Sequence, residues 1–151
     1  MKSRIEQKRN RMHIQSEEIR QTLSSRLNEL SRIEAISVEI ARKMGFSKDQ
    51  QENLSIAVTE AVGNAIVHGN KKNIHKKVNI IFKLTKNQVS VSVKDEGEGF
   101  NPEKLDNPLK DQNIMKESGR GIFILKALTD DVTFSFSPSG TTVQFTLKKK
   151  S

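Results

Sequence analysis

Across residues 71–77, KKNIHKK, the spacing of apolar residues changes from a helical period to a strand period. That switch restricts the chain to folds that pack helices against a sheet. Before it, Leu27, Leu30, Ile33, Ile36, Ile40 and Met44 recur at three- and four-residue steps, one apolar face of an amphipathic helix. Ser24 and Ser25 offer caps for its start, and Gly45 ends it where a left-handed cap costs glycine least. Ser47-Lys48-Asp49-Gln50 reads as a capping box for a second helix, which runs through LSIAVTEAVGNAIVHG to Gly69-Asn70. Its Ala57, Val58, Ala61, Val62, Ala65 and Ile66 predict a largely buried helix.

Beyond the switch, Val78, Ile80, Phe82 and Leu84 alternate loosely with polar residues, and Val89, Val91 and Val93 alternate cleanly. With Thr85-Lys86-Asn87-Gln88 as the turn, this is a hairpin with one buried face. A weaker alternation of Ile19, Gln21 and Leu23 marks a short edge strand before the first helix. IFILKAL (122–128) reads as a short helix, and Val132, Phe134, Phe136 and Val143, Phe145, Leu147 form a second hairpin around SPSG. The expected fold is an α/β sandwich (α+β): a mixed, largely antiparallel sheet with its helices on one face.

With 151 residues the chain is long enough for one continuous core. Seven Phe and no Trp or Tyr make that core mainly aliphatic. No apolar run approaches the ~18–20 residues of a membrane span, and MKSRIEQKRNRM lacks the apolar stretch of a secretory signal. The absence of Cys excludes disulfides, thiolate metal sites and Cys nucleophiles, and a cytoplasmic setting is the expectation. The net charge of +8 sits mostly at the ends. Lys2, Arg4, Lys8, Arg9 and Arg11 face Glu6 alone, and Lys148, Lys149 and Lys150 close the chain, so the body is nearly neutral. Charge on frayed ends without interleaved aromatics does not predict nucleic-acid binding. Residues 1–16 are therefore read as a basic extension and 17–151 as the folded domain.

Three clusters carry candidate chemistry. Glu60 and Asn64 are four apart on the buried helix and share a face, which His68 continues. Either they lie on the solvent side of that helix, or they are buried with partners, because a carboxylate in an apolar setting is costly alone. His68 fits a helix-end role better than a catalytic one. Asp95-Glu96-Gly97-Glu98-Gly99-Phe100 follows a clean strand. It is an ordinary acidic turn, or a loop whose glycines let the backbone approach a ligand while Asp95 serves as a fixed acceptor. Ser118-Gly119-Arg120-Gly121 opens the short helix, as many glycine-rich loops do, and such a start also favours bound phosphate. Neither a Walker A loop nor a dinucleotide-binding fingerprint is present.

The ordered set, ExxxN on a helix, DxGxG after a strand, GRG before a helix and Gly140-Thr141 leading the last strand, resembles the Bergerat ATP-binding fold of gyrase, histidine kinases and heat-shock chaperones. The likeness is strongest to the bacterial anti-sigma factor serine/threonine kinases. It rests on EAVGNAIVHGN (60–70), VKDEGEGFNP (93–102), GRGIFILKALTDDV (119–132) and GTTVQF (140–145), and covers about residues 17–148. The resemblance implies ATP and Mg²⁺ as cofactors, Glu60 as general base and Asn64 as the Mg²⁺ ligand. It implies Asp95 as acceptor for the adenine amino group and Thr141 near the base. Gly97 and Gly99 would line the nucleotide, Gly119, Arg120 and Gly121 the phosphates, and residues 101–118, with Pro102 and Pro108, resemble a mobile lid. The implied activity is phosphorylation of an anti-anti-sigma (STAS) protein by an anti-sigma factor in a partner-switching circuit, with a sigma factor as second partner and a homodimer as the assembly. The alternative is a catalytically silent ATP-binding module that sequesters a protein partner. A detached sensor histidine kinase fits less well, because the chain has no room for a separate histidine-bearing domain and His13 lies in the basic segment.

Overall fold

A computed structural model describes residues 16–98 and 121–150, and within them the expected order of elements appears. Strand β1 (Ser16–Ser24) leads through a 3₁₀ turn (Leu27–Glu29) to helix α1 (Leu30–Lys43). Helix α2 (Lys48–Asn64) runs on into a π-helical turn (Ala65–Gly69). Strands β2 (Lys77–Thr85) and β3 (Gln88–Lys94), helix α3 (121–128), and strands β4 (Asp131–Ser137) and β5 (Gly140–Lys148) follow. The sheet order is β1-β2-β3-β5-β4, and every described pairing is antiparallel, so the sheet is purely antiparallel there rather than mixed.

The strands are in phase across these pairings, which concentrates apolar side chains on one face. Leu23 lies opposite Val78, Phe82 opposite Val91, and Val91 opposite Phe145. Those residues are buried in one cluster with Ile33 and Ile40 of α1 and Leu54, Val58 and Val62 of α2, so both helices cover that face. Each such side chain contributes roughly 1.5–3 kcal/mol by leaving water. The other face is polar: Thr22 Oγ1 donates to Asn79 Oδ1 (3.0 Å), and the Ser90 and Thr146 hydroxyls meet at 3.1 Å.

Several end signals act differently from the sequence expectation. Leu27 belongs to the 3₁₀ turn and is 46% exposed, because the apolar face of α1 starts only at Leu30. Ser25 caps no helix; it is buried with partners described below. Gly45 does take a left-handed conformation (φ 75°) after α1. Ser47 caps α2 by accepting from the Gln50 amide (3.2 Å), but the second half of the capping box is absent. The Gln50 side chain instead donates to the Lys148 carbonyl (2.8 Å) and accepts from the Lys150 amide (3.3 Å). The C-terminal lysines are therefore not frayed. Lys148 N donates to Asp130 Oδ2 (2.7 Å) and Lys149 N to the Asn87 carbonyl (2.7 Å).

Candidate functional site

The end of α2, the end of β3, the start of β5 and the start of α3 meet at one end of the sheet. Asp95, the first residue after β3, extends the β3–β5 ladder by donating its amide to the Thr141 carbonyl (3.0 Å). Its side chain turns inward and is 6% exposed. Oδ1 accepts from the Thr141 amide (2.9 Å) and from the Gly97 amide (3.0 Å), which fixes the carboxylate on two backbone donors. Oδ2 receives no hydrogen bond among the described residues. No fully buried side-chain polar atom among them lacks a partner.

Backbone crowding around Asp95 requires glycine. A Cβ on Gly69 would overlap the Asp95 carboxylate, and one on Gly140 (φ 144°) would overlap the Asp95 carbonyl. Gly97 packs in the same way against the Gly69 carbonyl. The last turn of the α2 run thus touches the loop after β3 through the Asp95 carboxylate and through the Gly97–Gly69 backbone contact.

Glu60 and Asn64 are both half-buried and face the start of α3. A Cβ on the buried Gly121 would lie 3.1 Å from Glu60 Oε1 and would overlap Asn64 Nδ2. Both side chains lie beside Gly121, the first described residue of α3. Glu60 and Gly69 are nine residues apart, roughly 13 Å along a helix axis. Asp95 therefore lies at one end of this run and Glu60 at the other. His68 is exposed within the π turn. Gly99, Gly119, Arg120 and the lid-like segment 101–118 lie outside the described residues.

Asn70 is the residue that sequence reasoning missed, having read it only as a helix stop. It is 1% exposed. Its Nδ2 donates to Ser25 Oγ (2.9 Å) and to the Lys77 carbonyl (3.0 Å), and its Oδ1 accepts from the Glu96 amide (2.8 Å). Ser25 Oγ in turn donates to the Lys76 carbonyl (2.6 Å). Lys71 and Lys72 follow at φ 52° and 58°, and the Lys72 amide closes the turn on the Ile66 carbonyl (2.8 Å). Two successive non-glycine residues at positive φ are uncommon and persist where surrounding bonds over-determine them. The only local signal was a polar residue directly after Gly69 at the end of an apolar helix.

This arrangement suits a nucleotide with a hard cation. Among the described residues no group of three or more His, Asp or Glu side chains converges on a metal. A divalent ion here would take the Asn64 side-chain oxygen and complete its shell with phosphate oxygens and water, which is how Mg²⁺ is commonly held. Asn64 packs directly against Gly121, where a Cβ would otherwise sit.

Residues 23–147 match the model of the family described as histidine kinase-like ATPase domain. The chain belongs to that family. This histidine kinase-like ATPase domain is 34% identical over 99 residues to a protein of Oceanobacillus iheyensis named serine-protein kinase RsbW, across 62% of this chain and 63% of that relative. It is 33% identical over 111 residues to a Staphylococcus aureus protein of the same name, across 69% of each chain. The matched region thus spans a little under two thirds of the first relative and slightly more of the second. Its fold is also that of a crystal structure of the RsbU and RsbW domains of a Mycobacterium tuberculosis protein, with TM-score 0.66, 19% identity and coverage of 89% of this chain and 33% of that one. The antiparallel sheet and one-sided helices are therefore the family architecture, and ATP is the nucleotide the family uses. None of the described helices is long and apolar enough to cross a membrane.

Proposed function

We propose that residues 17–151 form an ATP-dependent serine/threonine protein kinase that acts as an anti-sigma factor, with residues 1–16 as a basic extension. Its substrate is a STAS-type anti-anti-sigma protein, its second partner is a sigma factor, and it works as a homodimer. The observation that supports this best is the facing of Glu60 and Asn64 onto Gly121, because ATP binding alone needs no carboxylate there.

In this reading Asp95 Oδ2 accepts the adenine amino group while Thr141 and Gly97 hold Oδ1 still. Gly97 and Gly99 line the nucleotide. Gly119, Arg120 and Gly121 receive the phosphates at the start of α3, where helix amides favour anions. Asn64 supplies the protein oxygen for Mg²⁺, which when bound neutralises phosphate charge. Glu60 takes the proton from the attacking Ser or Thr hydroxyl as that oxygen bonds to the γ-phosphorus and the bond to the bridging oxygen of ADP breaks. Such transfer depends on positioning and charge neutralisation. The product carries about −1.5 to −2 of new charge at the partner's surface, enough to drive it off by repulsion and desolvation.

The test is incubation of the purified chain with radiolabelled ATP, Mg²⁺ and the STAS-domain proteins of the same genome. Wild type is expected to label one of them on Ser or Thr. Glu60→Gln should cut labelling by about 10²–10⁴-fold, the usual share of a general base, with ATP affinity nearly unchanged. ATP binding without labelling of any candidate would overturn the kinase reading and leave a nucleotide-gated binding module.

A further inference from the structure

We infer that Asn70 is a positioning residue for nucleotide-base recognition: it sets the place of the Asp95 loop by tying it to β1 and β2. This rests on the proposed role of Asp95 as the adenine acceptor.

Three separate pieces of chain meet at this one side chain. The Glu96 amide, one residue beyond Asp95, has Asn70 Oδ1 as its acceptor at 2.8 Å. Both Asn70 Nδ2 bonds run to the opposite side, to Ser25 at the end of β1 and to Lys77 at the start of β2. All three polar positions of the amide with a described partner are thus committed to holding segments apart in sequence by 45, 7 and 26 residues. Asn70 itself cannot drift, since its own amide donates to the Ala65 carbonyl (2.8 Å) and the positive-φ turn behind it is closed on Ile66.

The contact is placed to act on Asp95 and not merely on the fold. Asp95 is flanked by two fixed points: Thr141 before the turn and Asn70 after it. Between them Gly69 touches the carboxylate and Gly97 touches Gly69, so the loop has no slack in which to move without changing the aim of Oδ2. Deleting the Asn70 amide leaves the Glu96 N–H without its acceptor. An unsatisfied part-buried donor is relieved by moving the loop towards water.

Asp separates the two halves of this role. Asn70→Asp keeps an acceptor for the Glu96 amide and loses both donors, whereas Asn70→Ala loses everything. The experiment measures binding of ATP and of GTP to wild type, Asn70→Ala, Asn70→Asp and Gln50→Ala, together with thermal midpoints and amide hydrogen exchange. Gln50→Ala is the stability control, since it also removes part-buried hydrogen bonds, but Gln50 ties β5 to α2 far from Asp95. Asn70→Ala should weaken ATP by about tenfold, the order of one lost hydrogen bond, and narrow the preference for ATP over GTP. Asn70→Asp should recover much of that preference, and Gln50→Ala should keep it while melting earlier. Exchange at Glu96, Gly97 and Thr141 should quicken in Asn70→Ala, with the β2–β3 ladder unchanged. The inference is overturned if Asn70→Ala melts earlier yet keeps the ATP-to-GTP ratio and the exchange rates of wild type. If wild type binds no nucleotide, the functional reading fails, and the exchange data alone then decide whether Asn70 holds the loop.

Discussion

At the scale of single residues, the site is an acidic side chain locked by backbone. Asp95→Asn retains an oxygen for the Thr141 and Gly97 amides but turns an NH₂ group toward the open side, where an adenine amino group would meet a donor instead of an acceptor. The expected outcome is a thermal midpoint close to wild type and a loss of about 10–100-fold in ATP affinity by calorimetry, since a hydrogen bond to a charged group contributes roughly 1.5–3 kcal/mol. Gly121→Ala tests the other end. The added methyl meets the tip of the Asn64 side chain, which can swing away, so folding should survive and phosphoryl transfer fall. Labelling that matches wild type in Gly121→Ala would remove Asn64 and Glu60 from the reaction centre. Glu60, Asn64, Asp95 and Thr141 were singled out in the sequence because each sits in a short motif. Asn70 and Ser25 were not, because their meaning lies in bonds to residues far away in the chain, and a polar residue after a glycine reads locally as a stop.

At the scale of elements, periodicity located the strands and helices, and competition for partners altered their ends. The apolar rows of β2, β3 and β5 dictated one-sided burial, so their register followed from which side chains had to share a face. Gln50 shows what periodicity cannot supply: a side chain suited to its own helix cap is instead spent on a strand 98 residues away. Ser25 was likewise drawn from a capping role into the Asn70 network. Gly45, by contrast, was readable, since only a left-handed residue ends α1 and turns into Ser47. Gly45→Ala should lower stability by about 1 kcal/mol, the cost of a left-handed Cβ, seen as an earlier thermal or urea transition with nucleotide binding intact.

At the scale of the whole molecule, one core carries the helices and the sheet, so site and fold share their stability. Phe82 is fully buried in the middle of β2, and Phe82→Ala should cost about 3–5 kcal/mol in urea unfolding. Nucleotide should act in the opposite direction. At 100 times its dissociation constant, Mg-ATP should stabilise wild type by about 2.7 kcal/mol, and a midpoint indifferent to Mg-ATP would show that the native state does not bind it. The strand order carries one more consequence. β5 is made after every other described element, yet it is inserted between β3 and β4. While a ribosome is still adding those residues, β1, β2 and β3 can pair, but the inner edge of β3 stays bare and Asp95 has no Thr141 to hold it. Nascent chains stalled before residue 140 should therefore be blind to ATP, and nucleotide binding should begin only once synthesis has passed β5.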